Sequence, residues 1–208
     1  GVAGRVGFVD ISDPSAPAPL GAIEVGDPTS AAVVGDYLLV SNNTSEDFVD
    51  TSGELLVIDL ASREVVGTLS LSGQPDAVAV APSGSYAAIA IENERDEDLE
   101  DADGNAGLIP QAPACTLDIV DLAGEPAVWS VRSADLTGLA DVAPDDPEPE
   151  FVDINSLDQA VVTLQENNHL AVVDLASGDI VSHFSAGAVD LEGIDLSEEE
   201  LGPQENGL

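Results

Sequence analysis

The chain has 208 residues, enough to bury one sizeable core, and 44% of them are apolar. Its charge is strongly unbalanced, because 41 Asp and Glu face four Arg and no Lys, giving a formal net charge of −37. This balance argues against nucleic acid and anionic membranes as partners, since binding to either depends on Lys and Arg.

The acidic excess has two compatible explanations. Carboxylates that hold water and cations suit a saline environment, and the same groups can also collect divalent cations. No apolar run approaches the roughly 18 residues of a membrane span, so we expect no membrane insertion. Cys115 is the only cysteine, so no intrachain disulfide can form, and we expect it to be a small buried side chain.

One short sequence motif recurs along the chain. Residues 55–62 (LLVIDLAS) return as residues 170–177 (LAVVDLAS), and weaker copies stand at 7–12 and 117–124. Each copy is an aliphatic run that ends at an Asp and enters a turn of small residues, which is typical of a strand leading into a hairpin. We expect the four Asp residues to accept backbone N–H groups in these turns and to have no catalytic role. They are Asp10, Asp59, Asp121 and Asp174.

In chain order, the predicted strands fall into four units. Residues 6–48, 54–105 and 114–168 each predict four strands, and residues 169–195 predict the first two strands of a fourth unit. An all-β repeat of this length predicts propeller blades. The fold prediction is therefore all-β, a partial β-propeller of about three and a half four-stranded antiparallel blades. Residues 196–208 are predicted to be an acidic tail or the start of a linker.

Three and a half blades would leave sheet edges unpaired. A propeller ring usually needs about four to eight blades, and open edges are prone to pair with other chains. We therefore expect these residues to be the first part of a longer ring, or to be completed by another copy.

The residues 73–86 (GQPDAVAVAPSGSY) resemble YVTN-type and WD40-like surface propellers. At 92–99 and 162–168 the sequence looks like the bacterial choice-of-anchor propellers. These are related to mesenchyme-specific cell-surface glycoproteins and to phytase-like and atypical alkaline-phosphatase-like propellers. The resemblance extends from about Val6 to Asp195. It implies a secreted or surface-anchored propeller, and some relatives are described as calcium-dependent phosphatases.

An acidic loop at 92–105 offers oxygen ligands of the kind that Ca²⁺ prefers. It holds eight carboxylates in fourteen residues, although its spacing is not that of an EF-hand. The alternative is a solvated charged loop without a metal. A second loop at 166–169 also begins Glu-Asn, and in a propeller the two loops would gather at one face. The candidate metal ligands are Glu92, Glu94, Asp96, Asp101, Asp103 and Glu166.

Three functional hypotheses follow. The first is an extracellular or cell-surface module that binds Ca²⁺ at its acidic loops and a protein or matrix partner. The second is part of a calcium-dependent phosphoesterase, in which metal would supply the positive charge that four Arg cannot. The third is self-assembly through open blade edges. His169 could be a base or a ligand, although a lone surface histidine is the simpler interpretation.

Overall fold

The computed structural model describes residues 4–100, 103–104 and 106–190. Within them the chain forms fourteen strands, and a 3₁₀ turn at Pro126–Val128 lies between the ninth and the tenth. The strands are β1 Arg5–Asp10, β2 Ala18–Glu24, β3 Asp27–Val34, β4 Tyr37–Asn43, β5 Gly53–Asp59, β6 Glu64–Leu71, β7 Pro75–Val80, β8 Tyr86–Ile91, β9 Thr116–Asp121, β10 Ser130–Asp135, β11 Pro149–Ile154, β12 Gln159–Leu164, β13 His169–Asp174 and β14 Ile180–Ser185.

These strands build three four-stranded antiparallel sheets and one two-stranded sheet. The first sheet is β3–β6, the second is β7–β10, the third is β11–β14, and β1 with β2 forms what we term the N-terminal pair. Each full sheet is a meander, and the first strands of successive sheets lie against one another. The prediction of a partial all-β propeller is confirmed.

The grouping of strands into sheets differs from the predicted units by two strands. The predicted unit boundaries at 48–54 and 105–114 fall in the loops after β4 and β8, and these loops join the second strand to the third strand within one sheet. The short links at 25–26 and 72–74 connect successive sheets instead. A long loop can return to its own sheet because closing it costs only slightly more entropy than closing a short one. Loop length was therefore a poor guide to the sheet boundary.

Corresponding strands can be recognised by their register. The third strand of each full sheet ends at an Asp that pairs with the first residue of the second strand, as in Tyr37 with Asp59 and Gln159 with Asp174. A bulge lies just before that Asp in the first and third sheets, and β1 has the same bulge before Asp10. The N-terminal pair therefore corresponds to the third and fourth strands of a blade.

The hydrophobic core lies between the sheets and consists largely of aliphatic side chains. Leu39, Leu55 and Val57 of the first sheet pack with Ile89 and Ile91 of the second. A second layer, built around Ala88, Leu117, Val162 and Ala171, joins the second and third sheets. Val6 and Phe8 of the N-terminal pair cover Val40 and Ile58 of the first sheet. Stacking of sheets through small side chains thus holds the chain together.

The repeated Asp residues occupy hairpin turns. Asp59 Oδ1 accepts the N–H groups of Ala61 at 3.1 Å and Ser62 at 2.7 Å. Asp174 and Asp10 make the same type of turn with the residues that follow them. Hydrogen bonds hold the pKa values of the three carboxyls below their usual range, chiefly from the Ser12 hydroxyl for Asp10 and from the N–H of the serine that follows for Asp59 and Asp174. Asp121 differs, because it accepts a hydrogen bond from Arg132 Nε at 3.3 Å.

Cys115 is a free and buried thiol, as predicted, and its Sγ accepts the backbone N–H of Asn93. Within the described ranges, the chain has no helix with the length and apolar character needed to cross a bilayer.

Candidate cation site

Two buried asparagines organise the same end of the second and third sheets. Asn93 Oδ1 accepts the backbone N–H of Gln74 at 3.0 Å, and Asn167 Oδ1 accepts that of Glu148 at 2.8 Å. Gln74 and Glu148 each stand immediately before the proline that begins a first strand. The side-chain amides then donate to carbonyls of the long connecting loops. The two Glu-Asn loops are therefore structurally equivalent, as the sequence indicated.

This arrangement brings five carboxylates to one end of the two sheets, and we term them the acidic cluster. A first strand begins at the same end of its sheet where the antiparallel second strand finishes. Residues just inside the first strands therefore meet residues that follow the second strands. The members of the acidic cluster are Asp76, Glu92, Glu148, Glu150 and Glu166.

The cluster contains two overlapping groups of three. One carboxylate oxygen from each of Asp76, Glu92 and Glu150 lies within 4.8 Å of the others, and the same holds for Glu92, Glu148 and Glu166. Glu92 belongs to both groups. All five line one open cavity of about 480 Å³, in which polar atoms dominate the wall.

Burial, reinforced by mutual repulsion for all but Asp76, raises the pKa values of four carboxyls of the acidic cluster, namely Asp76, Glu92, Glu148 and Glu150. Burial, reinforced by Asp76 and the neighbouring glutamates, raises the pKa of Glu92 to about 8. Burial likewise raises the pKa of Glu148 to about 7, although the charge of Arg95 opposes the rise. Burial also raises the pKa values of Asp76 and Glu150. At neutral pH the environment of Glu92 therefore favours its protonated, neutral form.

Arg95 neutralises one side of the cluster. Its Nε donates to Asp146 Oδ2 at 2.8 Å and also contacts Glu148 Oε1. Glu148 is only 4% exposed, so this ion pair is well shielded from solvent. Among the described residues that line the cavity, Arg95 is the only cationic one. The ion pairs of Arg95 are with Asp146 and Glu148 and so fall outside the group formed by Asp76, Glu92 and Glu150.

The candidate ligands named from the sequence lie in three environments. Glu92 and Glu166 belong to the acidic cluster, and Glu94 lines the same cavity without joining either group of three. Asp96 lines a neighbouring cavity, and its Oδ1 accepts the N–H of Asp98 at 3.0 Å. Asp103 is exposed and is in neither group. Asp101 lies outside the described residues.

Three members of the acidic cluster were not named as ligands from the sequence, namely Asp76, Glu148 and Glu150. For Asp76 and Glu150 a signal was present, because Pro-acid-x-Val begins both first strands at Pro75 and Pro149. The pattern and the Glu-Asn loops mark the two ends of corresponding strand pairs, but the sequence alone did not lead us to assign these acids as ligands. The connection comes from the pairing of each first strand with the second strand of its own sheet.

Gln111 fixes the acidic loop beside the cluster. Its Nε2 donates to the carbonyls of Phe48 at 2.8 Å and Glu94 at 3.1 Å, and its Oε1 accepts the N–H of Asp96 at 2.7 Å. One buried amide therefore ties together three loop segments. This contact sets the position of Glu94 at the wall of the cavity.

The two histidines form a pair. His169 Nε2 lies 2.9 Å from His183 Nδ1, and His169 is only 7% exposed. Burial and the neighbouring imidazole lower the pKa of His169, whereas Asp141 opposes that shift. The simple picture of a lone surface histidine is therefore wrong for His169. Its side chain lines a separate cavity, of about 480 Å³, that shares Asp76 and Glu150 with the acidic one.

Comparison with known protein families identifies the family of this chain. Residues 2–206 match the family model of the choice-of-anchor I domain. The chain belongs to this family. The assignment agrees with the resemblance noted at the Glu-Asn loops, and together with the fold it indicates a cell-surface or secreted propeller module.

The solved structures give an independent view of the fold. The β-propeller domain of Cps50 (Swd1) from Myceliophteria thermophila matches with a TM-score of 0.52 and 14% identity. The match covers 81% of this chain and 46% of that one, so this choice-of-anchor chain spans about half the length of the solved propeller. At this identity the likeness concerns the fold alone. A search of curated proteins found no match.

Proposed function

We propose that this choice-of-anchor domain is an extracellular, calcium-binding propeller module that presents its acidic end to a protein or matrix partner. The observation that carries the proposal is the convergence of five carboxylates from two sheets on one cavity. Ca²⁺ takes six to eight oxygen ligands, and carboxylates on separate strands can supply several without a dedicated loop.

The partial burial of Asp76, Glu92 and Glu150 supports a specific ion over a diffuse ion atmosphere. Carboxylates that only hold water at a surface stay exposed and keep ordinary pKa values. Here Glu92 has a pKa raised to about 8 because it is buried beside other acids. A bound divalent cation would remove this repulsion and offset the desolvation of the carboxylates.

The ion is proposed to occupy the group formed by Asp76, Glu92 and Glu150. The other group already contacts Arg95 through Glu148, and that guanidinium would repel a second cation. Glu166 is then a flanking residue that adds negative charge, and its removal should weaken binding less than the removal of Asp76 or Glu150.

Cation binding is better supported as the function of this cavity than phosphoester hydrolysis. A phosphate at this cavity would meet seven carboxylates, and the one guanidinium that lines it is held by Asp146 and Glu148. Phosphate binding would therefore depend on bound metal for its charge neutralisation. No particular contact in the described residues favours that second function.

Calcium titration by calorimetry tests the proposal, at about 0.1 M and about 2 M NaCl, where the screening length falls from roughly 10 Å to about 2 Å. We expect a stoichiometric site that persists at high salt and is lost in Asp76→Asn/Glu150→Gln. The matched control Asp96→Asn/Asp103→Asn removes the same charge from the acidic loop and should retain the site.

Two outcomes would overturn the proposal. Diffuse binding that high salt suppresses would identify the carboxylates as a solvation layer. Loss of the site in the control pair alone would place the ion in the acidic loop.

A further inference from the structure

An exposed aromatic side chain stands at the tip of the loop that joins β4 to β5 in the first full sheet. Phe48 is 42% exposed, and the adjacent Val49 is 47% exposed. Neighbouring exposed apolar side chains of this size are typical of a surface that contacts another molecule. The cavity beside Phe48 shares Gln74 and Glu94 with the acidic cavity, so this surface lies at the acidic end of the molecule.

The loop is held in place by hydrogen bonds, so Phe48 is presented in a defined position. Two backbone hydrogen bonds continue the pairing of β4 with β5 into the loop. Asp47 Oδ1 accepts the N–H groups of Val49 at 2.8 Å and Asp50 at 2.7 Å. The carbonyl of Phe48 accepts a hydrogen bond from Gln111 Nε2 at 2.8 Å. An apolar contact that is already positioned loses little conformational entropy on binding.

Two open cavities, of about 380 Å³ and 300 Å³, lie on either side of Phe48. Phe48 and Glu94 line both cavities, and we term these two residues the ridge. The other carboxylates in the walls are Glu46 and Asp47 in the larger cavity, and Asp96, Glu97 and Asp98 in the smaller. Arg95 also lines the smaller cavity, but its guanidinium is held by Asp146 and Glu148. Acidic side chains therefore outnumber basic ones in both walls.

We propose that the ridge and its two cavities are the docking surface for a basic segment of a partner protein. An aliphatic side chain of that segment would cover the Phe48 ring, and Lys or Arg side chains on either side of it would enter the cavities. A guanidinium can also stack on an aromatic face. Charge complementarity selects this class of partner, since an acidic segment would be repelled by both walls.

This inference rests on the proposed function, because it names the partner class of the module, but it does not require calcium. A labelled peptide of the sequence Gly-Arg-Gly-Leu-Gly-Arg-Gly carries the three elements of such a segment. It is titrated with the whole chain at about 0.1 M NaCl, in EDTA and in calcium, and followed by fluorescence anisotropy. We expect saturable binding of one peptide per chain in both conditions. Replacing both Arg of the peptide by Glu should abolish binding. No saturable binding of the basic peptide would overturn the proposal.

Two phenylalanine variants test whether the ridge is the contact. Phe184 of β14 is 50% exposed, which makes it a close match to Phe48. Since both rings are exposed, neither alanine variant should change the melting temperature by more than a few degrees. We expect Phe48→Ala to weaken peptide binding at least fivefold and Phe184→Ala to leave it unchanged. Equal effects of the two substitutions would overturn docking at the ridge.

Two charge variants test the cavities. Glu46→Gln/Glu97→Gln removes one carboxylate from each cavity, and Glu24→Gln/Glu64→Gln removes two exposed carboxylates from β2 and β6. Both pairs change the net charge equally. The first pair should weaken peptide binding clearly more than the second. Equal weakening would show that the peptide responds only to the overall charge, and the docking surface would be wrong.

Calcium titration of the same variants separates this inference from the cation site. Phe48→Ala should lose the peptide and keep calcium binding, whereas Asp76→Asn/Glu150→Gln should lose calcium and keep the peptide. Peptide binding by a chain without any calcium site would leave the docking surface intact and overturn only the cation site. A doubled mass that disappears in Phe48→Ala would identify a second copy of the chain as the occupant and would overturn the proposal of a basic segment.

Discussion

The buried side-chain amide of Asn167 makes several hydrogen bonds to the backbone at the end of the third sheet. It is 2% exposed, accepts the Glu148 N–H and donates to the carbonyls of Val142 and Asp146. Alanine would leave these groups without partners inside the protein, and each such group costs about 1–3 kcal/mol. We expect Asn167→Ala to lower the free energy of unfolding by about 3 kcal/mol in urea titrations.

The matched control for Asn167 is Asn155→Ala. Asn155 also accepts backbone N–H groups, from Leu157 and Gln159, but in an exposed turn where water can replace the lost contacts. Its loss should therefore cost less than about 1 kcal/mol. Similar costs for both variants would show that burial of the Asn167 amide is not what matters.

The raised pKa of Glu92 predicts that the stability of the folded protein depends on pH when calcium is absent. The folded pKa of about 8 lies above the ordinary value of 4.5, so the folded state binds this proton more tightly than the unfolded state does. The resulting stability is full below about pH 4.5 and is lost as the pH rises towards 8. Without calcium, the melting temperature should fall across this window, and the fall should be smaller in Glu92→Gln.

Calcium at the proposed site should therefore stabilise the protein more at pH 8.5 than at pH 5.5, since its ligands there would be deprotonated carboxylates. Thermal melts in EDTA and in excess calcium at both values make the comparison. An equal calcium effect at the two pH values, with Glu92 intact, would count against a role for this carboxylate.

At the scale of the element, the sheet junctions depend on close backbone approach. A Cβ at Gly53, the first residue of β5, would lie 2.5 Å from Pro75 Cδ and would also meet the Gly73 carbonyl. Rigid backbone and a proline ring cannot move aside easily, and such overpacking costs about 1–3 kcal/mol. We expect Gly53→Ala to destabilise the protein by this amount in urea titrations.

Gly67 is the control for Gly53, because it also lies inside a strand of the first sheet. Its Cβ would meet only ordinary contacts, the nearest being Val57 Cβ at 3.6 Å. Gly67→Ala should be neutral or slightly stabilising, since alanine restricts the unfolded chain. The junction account would fail if the two alanine variants had the same effect.

The strands of this protein were largely predictable from the sequence, and their assembly was less so. Alternation, turn residues and the recurring Asp locate hairpins because those signals are local. The assignment of strands to sheets depends on where the long loop before Thr116 returns, and that is decided by pairing with β8. The same limit applies to the site: Glu92 was found in an acidic run, whereas Asp76 and Glu150 are brought to it by strand pairing and sheet stacking.

At the scale of the whole molecule, the net charge of −37 and the small-residue core have to be considered together. Aliphatic layers between the sheets supply the cohesion, and 41 carboxylates oppose it through mutual repulsion. Salt reduces that repulsion everywhere, whereas a divalent ion at the proposed site would act only where the carboxylates of the acidic cluster converge. This difference is why high salt separates a specific site from a general solvation effect.

The two-strand offset between the sequence repeat and the sheet affects how the protein unfolds. A sequence repeat begins at the third strand of one sheet. The repeat β5–β8, for example, supplies the third and fourth strands of the first sheet and the first and second strands of the second sheet. No repeat can therefore melt without disrupting two sheets, and no sheet can melt without disrupting two repeats. Cooperativity is thus transmitted along the backbone as well as through the core, and the three full sheets should behave as one thermodynamic unit.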